Sequence, residues 1–87
     1  MKVSIRKSFE KDSARLPPPI QRKLSQLIID LEEVKKLSDI ISCKKLTGHK
    51  DAYRIRLGSH RIGFFFEKET IELVRILDRK SIYRFFP

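Results

Sequence analysis

The sequence predicts an α+β fold with the element order β-α-α-β-β-β. In this fold a small, mainly antiparallel sheet carries two N-terminal helices on one face. The first half of the chain has an apolar stripe at helical spacing, whereas the second half alternates apolar and charged residues. A chain of 87 residues can bury one core only, so residues 1–87 are expected to form a single domain.

The first two elements are a short strand and a short helix. Apolar and polar residues alternate over Lys2–Lys7, which predicts a strand with one buried face. A helix is expected over Phe9–Leu16, because Ser8 can cap its N-terminus and Pro17 cannot continue it.

The longest predicted element is a helix of about 18 residues that begins near Ile20. Pro19 suits its first turn, where a missing N–H leaves no hydrogen bond unmade. Its apolar residues recur every three or four positions and form one face. These residues are Ile20, Leu24, Leu27, Ile28, Leu31 and Val34. The charged residues on the opposite face are expected to be solvated.

The second half of the chain predicts three strands. They cover Tyr53–Leu57, Arg61–Glu67 and Ile71–Leu77, and Lys44–Leu46 is a candidate for the start of the sheet. Gly58 and Ser59 can turn the chain between the first two strands. The last strand is apolar on both faces, which is typical of an interior strand.

Arginine side chains collect on one face of this predicted sheet. In the first of the three strands, apolar residues alternate with Arg54 and Arg56, so both arginines project from one face. The same alternation places Arg61 and Phe65 on that face if the other aromatic residues of their strand face the helices. Several guanidinium groups on one sheet face are costly unless they meet an anion, and phosphate fits their geometry.

The net charge of +9 favours a nucleic acid or an acidic protein as partner, although general solubility is an alternative explanation. Residues 44–87 carry 11 Lys and Arg against 5 Asp and Glu, whereas residues 1–43 contribute a balance of only +3. No apolar run approaches the roughly 20 residues of a membrane span. Neither a membrane partner nor a signal peptide is therefore expected, and we predict a cytoplasmic protein.

Five short segments carry a resemblance to a known family, and their order and spacing are more specific than any one of them. They are Lys45–Gly48, Tyr53–Gly58, His60–Ile62, Val74–Ile76 and Arg79–Tyr83. In these segments the sequence resembles the RelE/ParE superfamily, the toxins of bacterial and archaeal type II toxin–antitoxin pairs. With the two helices, the resemblance covers nearly the whole chain and implies the RelE-like fold.

The superfamily implies two alternative activities. RelE-like members are ribosome-dependent endoribonucleases (mRNA interferases) that cut messenger RNA in the ribosomal A site and so inhibit translation. ParE-like members bind and inhibit DNA gyrase without cutting RNA. The C-terminal residues from Ile82 to Pro87 are more similar to the RelE-like branch. A basic nucleic-acid-binding module without toxicity is a third alternative.

The RelE-like resemblance implies cleavage by a neighbouring 2′-hydroxyl group, with no metal and no cofactor. It assigns catalytic roles to Arg54, Arg56, Arg61, Arg79 and Tyr83. Arg54 and Arg56 would hold the RNA backbone and favour the deprotonated hydroxyl group. Arg61 and Arg79 would stabilise the charged phosphorane, and Tyr83 would assist proton transfer or stack on a base.

Further RNA contacts are expected from Lys45, Lys80, Arg75 and Phe65. Two of these have an alternative role: Arg75 in supporting the pocket, and Phe65 in lying under a segment of the antitoxin. The resemblance implies an acidic, partly disordered antitoxin that wraps the toxin and covers its basic face.

Positions 54, 56 and 78 depart from the pattern of the family. Ribosome-dependent members of the family carry lysines at the two positions of the first arginine strand, and arginine is a poor general base. Those arginines therefore favour electrostatic stabilisation. Asp78 stands where many relatives have a histidine or another non-acidic residue, and it can pair with Arg79 or Lys80 and weaken the site. His49 is expected in a solvated turn, and His60 is expected to pack.

Overall fold

A computed structural model describes all 87 residues. The elements are β1 (Lys2–Ile5), α1 (Lys7–Ala14), α2 (Pro18–Glu33), a 3₁₀ turn (Leu37–Asp39), β2 (Cys43–Lys45), β3 (Ala52–Leu57), β4 (His60–Glu67), β5 (Thr70–Asp78) and α3 (Ile82–Phe85). The predicted α+β class and the order of its elements are confirmed. The candidate segment before β3 forms the separate strand β2, and the one-turn helix α3 was not predicted.

The five strands form one sheet in the order β1-β5-β4-β3-β2. Its neighbouring strands are antiparallel except β1 and β5, which run parallel. The predicted interior strand is therefore β5, which lies between β1 and β4. Its pairing with β4 shifts beside Val74, because Arg75 pairs with Gly63 while Leu73 pairs with Phe64. This irregularity leaves Val74 as an extra residue, as in a β-bulge.

The main core lies between the helices and one face of the sheet. It consists of Phe9, Leu16, Leu24, Leu31, Ile40, Ile55, Ile62, Phe64, Ile71, Leu73 and Ile76. The predicted stripe of α2 is confirmed, because Leu24 and Leu31 are buried and its other members pack against this core. No helix has the length and apolar character needed to cross a membrane.

A second, smaller cluster lies on the arginine face of the sheet. Its buried residues are Ala52, Val74, Ile82 and Phe86. The ring of Phe86 lies directly on Gly63, where an added Cβ atom would be 2.4 Å from two ring carbons. The C-terminal residues therefore cover the middle of this face, and its arginines surround a small apolar centre.

Both helices begin earlier than predicted. α1 begins at Lys7, and the hydroxyl group of Ser8 donates to the carbonyl oxygen of Val74 in β5 at 2.6 Å instead of capping the helix. α2 begins at Pro18 and ends at Glu33, about one turn before the predicted end. The α-ammonium group of the N-terminal methionine donates to three carbonyl groups at this end, at 2.7 to 3.3 Å.

Candidate nucleic-acid interface

The strand register brings four basic side chains to one face. Arg54 pairs with Gly63, Arg56 pairs with Arg61, and Lys44 of β2 pairs with Arg54. Directly paired residues share a face, so the predicted grouping of the three arginines is confirmed. Like charges directly opposite each other destabilise a sheet, which makes the Arg56–Arg61 pair a cost to the fold.

Three adjacent clefts run along this basic face, and we call them the cleft row. The first two clefts share Arg54, and the second and third share Arg61. The first cleft, about 310 Å³, also includes Lys45, His49 and Tyr83. The second, about 280 Å³, includes Lys44 and Arg56, and the third, about 420 Å³, includes Arg79 and Lys80. All five predicted catalytic residues therefore lie along the cleft row.

The side chains of Tyr83 and Arg54 contact each other in the first cleft, beside the second cleft, which Arg54 also lines. The guanidinium carbon of Arg54 lies 4.7 Å from the centre of the Tyr83 ring, a cation–π distance. Ile82, the first residue of α3, and Phe86, which follows its last residue, are buried, whereas 67% of Tyr83 is exposed. The two buried neighbours anchor the helix and leave the Tyr83 ring available to a ligand.

Arg61 is held by its own hairpin turn. Its Nη1 atom donates to the carbonyl oxygens of Gly58 and His60 at 3.0 and 2.9 Å. Gly58 supports this turn with a φ of 59°, a conformation that glycine adopts without strain. These bonds leave the other N–H groups of Arg61 free to bind an anion.

No arginine of the cleft row has a carboxylate partner. The two ion pairs of the structure join Arg6 to Glu72 and Arg75 to Asp12. Asp78 is the one carboxylate that lines the cleft row, in the third cleft, and it forms no ion pair with these arginines, so the row carries a large excess of positive charge. Such a surface gains free energy when an anion binds, because binding neutralises charges that otherwise repel each other.

Asp78 does not weaken the site by pairing with the side chains of Arg79 or Lys80, so that expectation is wrong. Its Oδ1 atom accepts backbone N–H bonds from Lys80 and Ser81 at 3.0 and 2.9 Å. Its Oδ2 atom accepts the hydroxyl bond of Ser81 at 3.0 Å. Hydrogen bonds from the backbone and hydroxyl group of Ser81 are the main causes that lower the pKa of Asp78. The carboxylate thus fixes the turn that carries the two basic residues Arg79 and Lys80 of the third cleft.

Arg75 and Phe65 lie on the arginine face but outside the cleft row. The guanidinium group of Arg75 donates to Asp12, and the ring of Phe65 packs against Phe86 at 5.2 Å between centres. Arg6 covers the Phe65 ring at 5.6 Å. Direct RNA contact by Arg75 and Phe65 therefore stays a prediction, and their observed partners are within the protein.

Two residues of the cleft row were missed by sequence reasoning. Lys44, not Lys45, pairs with Arg54, because Lys45 pairs with Tyr53, which faces the main core. His49, assigned to a solvated turn, is exposed and lines the same cleft as Tyr83. The face of Lys44 could not be read from the sequence, since β2 has only three residues and its register is set by β3. His49 lies in the turn that was predicted for it, and only the fold brings this turn beside Tyr83.

Cys43 lines the second cleft, but burial raises the pKa of its thiol to about 11. The thiol is therefore protonated at neutral pH and is a poor nucleophile. No group of three or more His, Cys, Asp and Glu side chains is placed to hold a metal ion.

Comparison with known proteins identifies the family. No family model matches the chain. It is 39% identical to Toxin RelE3 of Methanocaldococcus jannaschii over 88 residues, which cover 100% of both proteins. It superimposes on a chain of the RelB–RelE antitoxin–toxin complex from Methanococcus jannaschii with a TM-score of 0.83 and 34% identity, covering 97% of this chain and 99% of that one.

A chain of the RelE–RelB complex from Pyrococcus horikoshii matches with a TM-score of 0.72 and 26% identity, covering 90% of this chain and 93% of that one. The chain therefore belongs to the RelE family, the toxins of type II toxin–antitoxin systems. The predicted family and the RelE-like fold are both confirmed.

Proposed function

We propose that this toxin is an endoribonuclease that cuts messenger RNA in the A site of the cytoplasmic ribosome. The observation that supports the proposal is the cleft row, which contains Arg54, Arg56, Arg61, Arg79 and Tyr83. Guanidinium groups bind phosphate through paired N–H bonds, and an exposed aromatic ring stacks on a base. The row therefore suits a single RNA strand that lies across β2, β3 and the C-terminal turn.

The proposed reaction is a transfer within the RNA strand. The 2′-oxygen forms a bond to phosphorus while the bond from phosphorus to the 5′-oxygen breaks. The 2′-hydroxyl group loses a proton and the 5′-oxygen gains one, so the products carry a 2′,3′-cyclic phosphate and a 5′-hydroxyl group. The phosphorane in between carries extra negative charge, and cations fixed in advance stabilise it.

The arginines act in this mechanism as an electrostatic clamp. Arg54 and Arg56 bind the backbone and favour the charged 2′-oxygen, while Arg61 and Arg79 bind the phosphorane oxygens. Arginine does not release its proton in proteins, so other groups transfer protons. Tyr83 lines the first cleft with His49, and imidazole is the commonest acid–base group in enzymes. These two residues are the candidates for that role.

We propose an acidic antitoxin as the native partner of the same face. The two archaeal structures described above are complexes of RelE with the antitoxin RelB. A net charge of +9 and cleft arginines that form no ion pair favour an acidic segment over the cleft row. Such binding would be fast and sensitive to salt, and it would exclude RNA by occupying the same charges.

Addition of the purified toxin to a translating extract tests the nuclease, with new message ends mapped by primer extension. We expect the wild-type toxin to create new ends and Arg61→Ala to lower their rate of appearance about 100-fold, the usual loss for one transition-state donor. Arg22→Ala is the matched control, because it removes the same charge from the exposed face of α2. Intact message together with inhibited gyrase would contradict the nuclease and favour the ParE-like alternative.

A further inference from the structure

A buried carboxylate on α1 connects this helix to the arginine face. The side chain of Asp12 is 7% exposed, and its oxygens accept the Nε and Nη2 bonds of Arg75 at 2.7 and 3.0 Å. The backbone N–H of Ile76 donates to Oδ2 of Asp12 at 3.1 Å. Burial of a charge is costly unless it has such partners, so Asp12 holds Arg75 in one place.

Arg75 in turn contacts the C-terminal helix. Its guanidinium carbon lies 5.4 Å from the centre of the Phe85 ring, a cation–π distance. Phe85 is 54% exposed and belongs to neither apolar cluster. The neighbouring Arg84 also lies over its ring, at 5.9 Å, so Arg75 is the cation that reaches this ring from outside α3. Phe85 ends α3, and Tyr83 lies on the same helical turn.

We propose that Asp12 and Arg75 are positioning residues for Tyr83 in the RNA-cleaving site. Asp12 fixes Arg75, Arg75 fixes α3 through Phe85, and α3 presents the ring of Tyr83 to Arg54. Ile82 and Phe86 anchor the two ends of this turn, and Arg75 adds a restraint at Phe85 between them, since a single turn of four residues is unstable on its own. The consequence for RNA cleavage rests on the proposed function, whereas the geometry of Tyr83 can be measured without it.

Asp12→Asn separates this role from direct RNA binding by Arg75. The substitution removes the negative charge and leaves the Arg75 cation in place and less restrained. If Arg75 binds RNA directly, cleavage by the variant will equal or exceed that of the wild type. If Arg75 is a positioning residue, the variant will lose activity.

A matched control exists three residues earlier on the same strand, at Glu72. Arg6 donates to Glu72 at 3.2 and 3.0 Å and lies over the ring of Phe65. A carboxylate, a guanidinium group and a phenyl ring are therefore in contact here too. This pair is more exposed, and its aromatic partner Phe65 lies in β4 and packs on Phe86, not on a residue of α3. Glu72→Gln therefore removes an equivalent ion pair without disturbing the proposed support of Tyr83.

The first test is the NMR resonance of the Arg54 side-chain N–H, which the ring current of Tyr83 shifts in the wild-type protein. We expect Asp12→Asn to move this resonance toward its position in Tyr83→Ala, and Glu72→Gln to leave it unchanged. Phe85→Ala removes the contact between Arg75 and α3 at an exposed residue. The Arg54 resonance can therefore be measured in this variant even if Asp12→Asn fails to fold. An unshifted resonance in folded Asp12→Asn or Phe85→Ala would overturn the proposal.

The second test is a double-mutant cycle on the single-turnover rate of RNA cleavage. We expect Asp12→Asn to lower the rate at least 10-fold in the wild-type background, since small misplacements of catalytic groups cost up to about 100-fold. In the Tyr83→Ala background we expect no further loss. Equal fractional losses in both backgrounds would mean a merely structural role and would overturn the positioning role. A wild-type toxin without cleavage would contradict the proposed function and leave the NMR test in force.

Discussion

Gly63→Ala should destabilise the protein by displacing its C-terminal residues. The added Cβ atom would lie 2.4, 2.4 and 2.8 Å from three ring carbons of Phe86, closer than atoms in proteins approach. The backbone cannot give way, because Gly63 is paired on both sides, with Arg54 of β3 and Arg75 of β5. The Phe86 ring must therefore leave its site.

The cost follows from the burial of that ring. Phe86 is 6% exposed, and full burial of a phenylalanine side chain contributes about 1.5–3 kcal/mol. We therefore expect Gly63→Ala to lower the free energy of unfolding by about 2 kcal/mol. For a chain of this size that corresponds to a decrease in Tm of roughly 8–16 °C.

Urea denaturation of four proteins measures this cost: the wild type, Gly63→Ala, Phe86→Ala and the double variant. Once Phe86 is truncated, an alanine at position 63 has room, so the Gly63→Ala substitution should be nearly neutral in that background. The two losses should therefore be strongly non-additive, with a coupling of at least about 1.5 kcal/mol. Additive losses, or a Gly63→Ala variant within about 0.5 kcal/mol of the wild type, would refute the contact.

Two further substitutions test the charges of the cleft row. Arg56→Gln should raise the free energy of unfolding by about 0.2–1 kcal/mol, because it removes the repulsion between Arg56 and Arg61. The same substitution should lower RNA cleavage, because it removes a cation of the proposed site. A variant that is less stable than the wild type in urea denaturation would contradict the first expectation. Asp78→Asn should lower Tm at neutral pH, because hydrogen bonds from Ser81 and Lys80 hold the pKa of Asp78 below its ordinary value in the folded state. That stabilisation is present above the pKa of Asp78 in the unfolded chain and is lost as pH falls through its pKa in the folded protein. The difference in Tm between the variant and the wild type should therefore shrink below about pH 4. A difference that grows below this pH would contradict the role given to the Asp78 hydrogen bonds.

The fold was predictable where local patterns are strong. The stripe of α2 and the alternation of β3 and β4 gave the correct buried faces, because period and burial are directly linked. The same alternation predicted that Arg61 shares a face with Arg54 and Arg56, and the register of β3 against β4 confirms it. The end of α2 was predicted about one turn too late, since its partner is the chain terminus, far away in sequence.

The site was predictable only in part, because its remaining features depend on long-range contacts. Asp12 lies 63 residues from Arg75 in sequence, and no local pattern joins them. The cover that Phe86 forms over Gly63 is equally non-local. The turn made by Asp78 is a local motif, but its carboxylate was assigned to an ion pair because basic residues follow it directly.

A message with one 2′-deoxy nucleotide tests the central claim most directly. The substitution is placed at the position that the wild-type toxin cuts in the ribosomal A site, in an otherwise identical message. Attack by the 2′-oxygen predicts that the all-ribose message is cut to a 2′,3′-cyclic phosphate and a 5′-hydroxyl end, while the 2′-deoxy message stays intact at that position. Cutting of the 2′-deoxy message at the same position, or products with 3′-hydroxyl and 5′-phosphate ends, would contradict the proposed mechanism.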